Sequence, residues 1–84
     1  MLPAPSPKDS FTVYGIDGCP YCQRAKELVK TIPNAKYHDI TGMRDRLRPL
    51  MIERGIIPST YSTVPLVFKN GKFIGGLTEM MASR

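Results

Sequence analysis

The 84 residues suffice for one domain near the small end of independently folding chains, so separate catalytic and binding domains are excluded. Apolar residues make up 42% and charged residues 23%, far from the low-hydrophobicity, high-charge signature of a disordered chain. The net charge of +5 comes without the interleaved aromatics or motifs of a nucleic-acid binder, no apolar run approaches a membrane span, and the start lacks the apolar core of a secretion signal, which leaves a cytoplasmic protein with neither nucleic acid nor membrane as partner.

Residues 1–10, MLPAPSPKDS, with prolines at 3, 5 and 7, read as an extended, mobile tail, and residues 11–84 as the domain. FTVYGI, 11–16, joins aromatic and β-branched residues in a short run that predicts a buried strand. From Pro20 the period becomes helical: Tyr21, Ala25, Leu28, Val29 and Ile32 mark one apolar face, and Pro33 stops the helix. AKYHDI, 35–40, is a predicted second strand, so strand, helix and strand make a right-handed unit with parallel strands.

Residues 43–54 are again helical in pattern, with Met43, Leu47, Leu50 and Met51 on one side; Pro49 should kink that helix or start a fresh turn. Arg44, Arg46 and Arg48 crowd this segment, as a solvated face or as a surface that steers an anionic substrate. IIPSTYS, 56–62, reads as a loop. VPLVFKNGKFIGG then places Asn70-Gly71 between two apolar runs, the pair that best supplies the positive backbone angles of a two-residue hairpin turn. LTEMMASR after it can form about two helical turns.

Both cysteines lie in DGCPYCQRAK, with only a proline and a tyrosine between them. Proline suits the first helical position, where its missing N–H would be unpaired anyway, and that puts Cys19 at the cap. Only the thiolate is a good nucleophile, and a free thiol with a pKa near ~8.5 is mostly protonated at neutral pH. The free N–H groups of the first turn, those of Tyr21 and Cys22, and the positive helix end favour the negative form of Cys19. Cys22, one turn deeper on the side of Ala25 and Val29, should be the less exposed, resolving thiol. The same spacing could supply half a zinc site, but there is no other cysteine and the one histidine is His38, on a predicted strand. A permanent staple is disfavoured because so short a loop removes little chain entropy. A reactive dithiol with no metal is therefore expected.

Cys19-Pro20-Tyr21-Cys22 after a strand, Thr63-Val64-Pro65 before the hairpin and Gly75-Gly76 ten residues past that proline resemble a dithiol glutaredoxin over residues 11 to about 80. The resemblance implies a thioredoxin-like α/β fold, a mixed four-stranded sheet in the order β-α-β-α-β-β-α with a short C-terminal helix. It implies a glutathione-dependent thiol–disulfide oxidoreductase acting on protein–glutathione mixed disulfides and protein disulfides, with a potential of about −200 to −230 mV. Its catalytic residues would be Cys19 and Cys22. Pro65 would be a cis-proline opposite the dithiol, the backbone of Val64 would pair with the cysteinyl part of glutathione, and Thr63, Tyr21 and Gly76 would line the groove. Thr78 and Glu79 would hold the γ-glutamyl end. Glutathione is then the reducing co-substrate of a monomer, with disulfide-containing proteins, ribonucleotide reductase among them, as partners.

Two departures from the family pattern bear on that expectation. Ile16 stands where many members carry a lysine or arginine, so Arg44 or Arg48 is the candidate to receive the glycyl carboxylate. The loop 55–62 is longer than usual. The same residues leave two alternatives: an electron donor to ribonucleotide reductase recharged by a thioredoxin-type reductase, and an iron–sulfur cluster carrier.

Overall fold

The computed structural model describes residues 4–84. Seven elements follow in chain order: β1 (Phe11–Gly15), α1 (Pro20–Thr31), β2 (Ala35–Asp39), α2 (Arg44–Glu53), β3 (Leu66–Lys69), β4 (Lys72–Gly75) and α3 (Leu77–Ser83). The strands form one sheet in the order β2-β1-β3-β4. β1 and β2 are parallel, with Val13 opposite Tyr37 and Gly15 opposite Asp39. β3 runs antiparallel to β1 and to β4.

Helices cover both faces of this sheet, which explains why β1 is buried at all five positions and shows no alternation. On one face Phe11, Val13 and Val67 pack with Ala25, Leu28 and Val29 of α1 and Met80 of α3. On the other, Tyr14, Phe68 and Leu66 pack with Leu47 and Met51 of α2 and with Ile57 from the loop beyond it. Phe68 is the hub of the second cluster, edge-on to Tyr14 at 5.6 Å and 5.4 Å from the Phe73 ring.

Local chemistry sets the boundaries. The helix α1 ends at Thr31 because Ile32, before Pro33, is extended, and Asn34 then turns the chain at φ 63°. The β3–β4 hairpin turns through Asn70 at φ 50° and Gly71 at φ 84°. Helix α2 runs unbroken through Pro49, so the interruption expected there does not end it. Residues 1–3 of the Pro-rich segment lie outside the described residues. In the rest of that segment the Asp9 N–H donates to the Ser6 carbonyl at 3.1 Å, and the Ser10 N–H donates to the Asn34 carbonyl at 3.0 Å. Residues 6–10 are thus a turn bonded to the α1–β2 connection.

Phe68 has no exposed surface. Phe68→Ala should cost about 3–5 kcal/mol through lost burial and the cavity left behind, read as a lower midpoint in urea denaturation; an unchanged midpoint would contradict its place at the hub.

Candidate functional site

The site is built where β1 hands over to α1. Gly18, at φ 74°, turns the chain, Cys19 is extended at the cap, and Pro20 opens the helix. The Cys19 Sγ accepts the backbone N–H of Cys22 at 3.2 Å, so the Cys19 thiol is itself the helix cap. Of the two donors expected from the sequence, Cys22 makes this bond. Cys19 is partly exposed while Cys22 is fully buried, and both thiols are free. Burial pushes the Cys22 thiol up from 9.0 to about 12, with a further rise from its hydrogen bond with Cys19; a backbone hydrogen bond from Ile16 and the charge of Arg44 pull the other way. The pair is therefore asymmetric: one accessible sulfur and one held protonated beneath it.

Facing the dithiol, the Val64–Pro65 peptide is cis and the Val64 carbonyl lies 4.0 Å from Cys19 Sγ. A groove of about 510 Å³ opens beside them, lined by Tyr21, Tyr61, Thr63, Val64, Pro65, Gly76, Leu77, Thr78 and Glu79. All seven residues that the resemblance assigned to a glutathione groove thus border one depression. Tyr21 is 67% exposed and does not join the apolar face of α1; that place is taken by Cys22 and Ala25, which are buried. The Glu79 carboxylate folds back to accept the Gly76 N–H at 2.7 Å, capping α3 with one of its oxygens. A β-carbon on Gly75, at φ 130°, would collide with that carboxylate.

Tyr61 and Leu77 are the two groove residues that the sequence did not single out, and Tyr61 is the one that makes polar contacts. The Tyr61 hydroxyl donates to the Pro65 carbonyl at 3.4 Å and its ring stands edge-on to Phe73 at 4.9 Å. A β-carbon on Gly76 would stand 2.6 Å from that hydroxyl, so glycine there makes room for Tyr61. The signal for Tyr61 was an aromatic residue in the polar second half of the loop, among Ser59, Thr60 and Ser62.

The loop is fastened by the basic segment. Arg48 donates from Nε to the Tyr61 carbonyl and from Nη2 to the Ser59 carbonyl, both at 3.0 Å. Arg44 donates from Nη2 to the Ser62 carbonyl at 2.6 Å. Both therefore shape the groove wall, and neither is a purely solvated charge. Ile16 packs its side chain into the α2-side core. His38 stacks beside Tyr14 at 5.3 Å, on the sheet face away from α1 and the dithiol. Among the described residues no three His, Cys, Asp or Glu side chains gather in a way that could hold a metal ion.

A mixed four-stranded sheet with helices on both faces and a dithiol capping its first helix defines a thioredoxin-like fold. Residues 11–74 match the family model of glutaredoxin. Glutaredoxin 1 of Salmonella typhimurium is 37% identical over 79 residues, covering 86% of this chain and 87% of its own. The crystal structure of glutaredoxin 1 from Francisella tularensis, complexed with cacodylate, superposes with a TM-score of 0.73 at 32% identity, over 86% of this chain and 87% of that one. The solution structure of a dithiolic glutaredoxin from Trypanosoma brucei brucei gives a TM-score of 0.71 at 30% identity, covering 90% and 78%. The chain belongs to the glutaredoxin family and is a thiol–disulfide oxidoreductase.

The raised Cys22 value fixes a pH dependence. Well below pH 9.0 the thiol is protonated whether the chain is folded or not; between 9.0 and about 12 the unfolded chain mostly ionises it while the folded chain does not, so stability falls across that window. Tyr14 and Tyr37, raised by burial from 10.0 to about 12, act in the same direction. The melting temperature should decline above pH 9.0, less steeply in Cys22→Ser, and iodoacetamide at neutral pH should label Cys19 alone; a flat profile or a double adduct would contradict the burial.

Proposed function

We propose that the protein is a glutathione-dependent oxidoreductase that reduces protein–glutathione mixed disulfides and protein disulfides. One observation carries this: a groove lined by Val64, whose carbonyl lies 4.0 Å from Cys19 Sγ, and by Thr78 and Glu79 of the first turn of α3. Its lining joins the apolar surfaces of Tyr21, Pro65 and Leu77 to the Glu79 carboxylate. A tripeptide carrying a thiol near its centre and an ammonium group at one end fits that set of groups beside a cysteine.

In the proposed reaction Cys19 attacks the glutathionyl sulfur of a mixed disulfide, and the protein thiolate departs. A second glutathione then attacks the Cys19 adduct, releasing oxidised glutathione and restoring Cys19. For a protein disulfide, Cys19 forms the mixed disulfide and Cys22 resolves it, leaving a Cys19–Cys22 bond that glutathione reduces. The Val64 backbone pairs with the cysteinyl segment. Thr78 and the second oxygen of Glu79 receive the γ-glutamyl end, since the first already accepts the Gly76 N–H. Arg44 is better placed than Arg48 to meet the glycyl carboxylate: Arg48 has both Nε and Nη2 bonded to loop carbonyls, whereas Arg44 bonds the loop through Nη2. The protein would work as a cytoplasmic monomer on disulfide-containing proteins, with ribonucleotide reductase as one client.

The test is turnover of a glutathionylated peptide with glutathione and glutathione reductase, beside the same assay with thioredoxin reductase in their place. Turnover with glutathione alone is expected; turnover with thioredoxin reductase alone would overturn the reading. Cys19→Ser should abolish activity, Cys22→Ser should retain deglutathionylation, and Arg44→Ala should raise KM for the glutathionylated peptide about tenfold, the worth of one charge-assisted hydrogen bond.

A further inference from the structure

Beneath the dithiol, on the α1 side of the sheet, lies a polar group that the groove does not use. Tyr37 stands on β2 opposite Val13, and its ring packs into the core under α1. The hydroxyl reaches along the strand to Gly15: a β-carbon there would collide with the Tyr37 oxygen and stand 3.0 Å from the β-carbon of Cys22. The Tyr37 hydroxyl and the Cys22 β-carbon, one bond from the buried sulfur, thus flank a position that carries no side chain.

The charged groups around this pair come from every element that meets there. Asp17 in the β1–α1 turn, Asp39 on β2 and Cys19 at the cap act on Tyr37, Lys26 of α1 holds its ammonium 5.6 Å from the Tyr37 ring, and Arg44 of α2 acts on Cys22. Burial, and next the neighbouring Cys22, raise the phenol to about 12, so at physiological pH the hydroxyl keeps its proton and can donate it in a hydrogen bond. Cys22 must pass through a thiolate in order to resolve a mixed disulfide, in a place where burial opposes that charge.

We propose that Tyr37 is a positioning residue for the resolving step, its hydroxyl donating a hydrogen bond to the Cys22 thiolate as it forms and holding that sulfur toward Cys19. This rests on Cys22 being the resolving thiol. In the step, Cys22 releases its proton to water and its sulfur attacks Cys19 Sγ. The Cys19–Cys22 bond forms while the bond from Cys19 to the bound thiol breaks, and the electron pair leaves with that thiolate. The two cysteines are oxidised and the substrate disulfide is reduced. Gly15 is part of the same device, because any side chain there would part the hydroxyl from the thiol.

Stopped-flow reaction with dithiobis(nitrobenzoate) tests this without glutathione: one coloured thiolate is released when Cys19 attacks and a second when Cys22 resolves. In Tyr37→Phe the second phase should slow about tenfold at neutral pH, as expected for loss of a hydrogen bond to a charged group, and its pH profile should move to alkaline values. The first phase, and deglutathionylation in a Cys22→Ser background, should not change. An unchanged second phase, or equal slowing of both phases, would overturn the role of Tyr37. A single phase in the unaltered protein would overturn the resolving role of Cys22 and this inference with it, whereas absence of glutathione turnover bears only on the proposed function. Should Tyr37→Phe fail to fold, a ring-fluorinated tyrosine in place of Tyr37 keeps the packing and is a stronger donor. It should move the second-phase profile to acidic values, and an unmoved profile would again overturn the proposal.

Discussion

The structure turns on the bond by which the Cys19 sulfur caps α1, accepting the Cys22 N–H at 3.2 Å. A capping serine or aspartate would satisfy the same donor, but only a cysteine puts a thiol at the cap. Everything else serves to keep that sulfur at the protein surface and its partner below. β1 delivers the chain to the turn, Gly18 supplies the positive backbone angle, and Pro20 starts the helix without wasting a donor. The capping geometry places Cys22 one helical step inward, where it packs beside Ala25 with no exposed surface. Difference in depth thus becomes difference in exposure and in the ease of ionising Cys22.

Two close approaches tie the site to the sheet. Gly76 admits the Tyr61 hydroxyl, which fixes the loop side of the groove against the Pro65 carbonyl. Gly15 admits the Tyr37 hydroxyl beside Cys22. In each case a missing side chain lets a tyrosine reach from a neighbouring element to a place that its own backbone could not occupy. The acidic turn is likewise made of one piece with its support, because Glu79 caps α3 while its carboxylate borders the groove.

Much of this was legible in the sequence. The seven elements follow from the helical period after Pro20, the β-branched run before it and the Asn70-Gly71 turn, and strand and helix ends fall within a residue or so of expectation. The cap position of Cys19 was likewise readable, since Pro20 marks the first helical residue. What the sequence hid is long-range. Tyr21 carries an apolar face in the helical count, yet the cap geometry rotates it outward, and the pattern alone cannot tell which of two adjacent residues faces in. Arg44 and Arg48 look like a solvated run because their acceptors are loop carbonyls 11 to 18 residues away. Tyr37 reads only as a strand residue and Tyr61 only as part of a loop, because the glycines that make room for their hydroxyls leave no signal of contact. Helix α2 continues through Pro49, where the local sequence argues for a kink or a fresh turn.

The clamp on the long loop acts entirely through main-chain oxygens, those of Ser59, Tyr61 and Ser62. The side chains at 59, 60 and 62 are exposed and take no part in it. Three neighbouring positions at the rim are consequently free to vary in size and charge without unfastening the wall. A lineage could retune which proteins dock there while the frame that holds the dithiol stays as it is, and a designer could treat the same three positions as interchangeable parts.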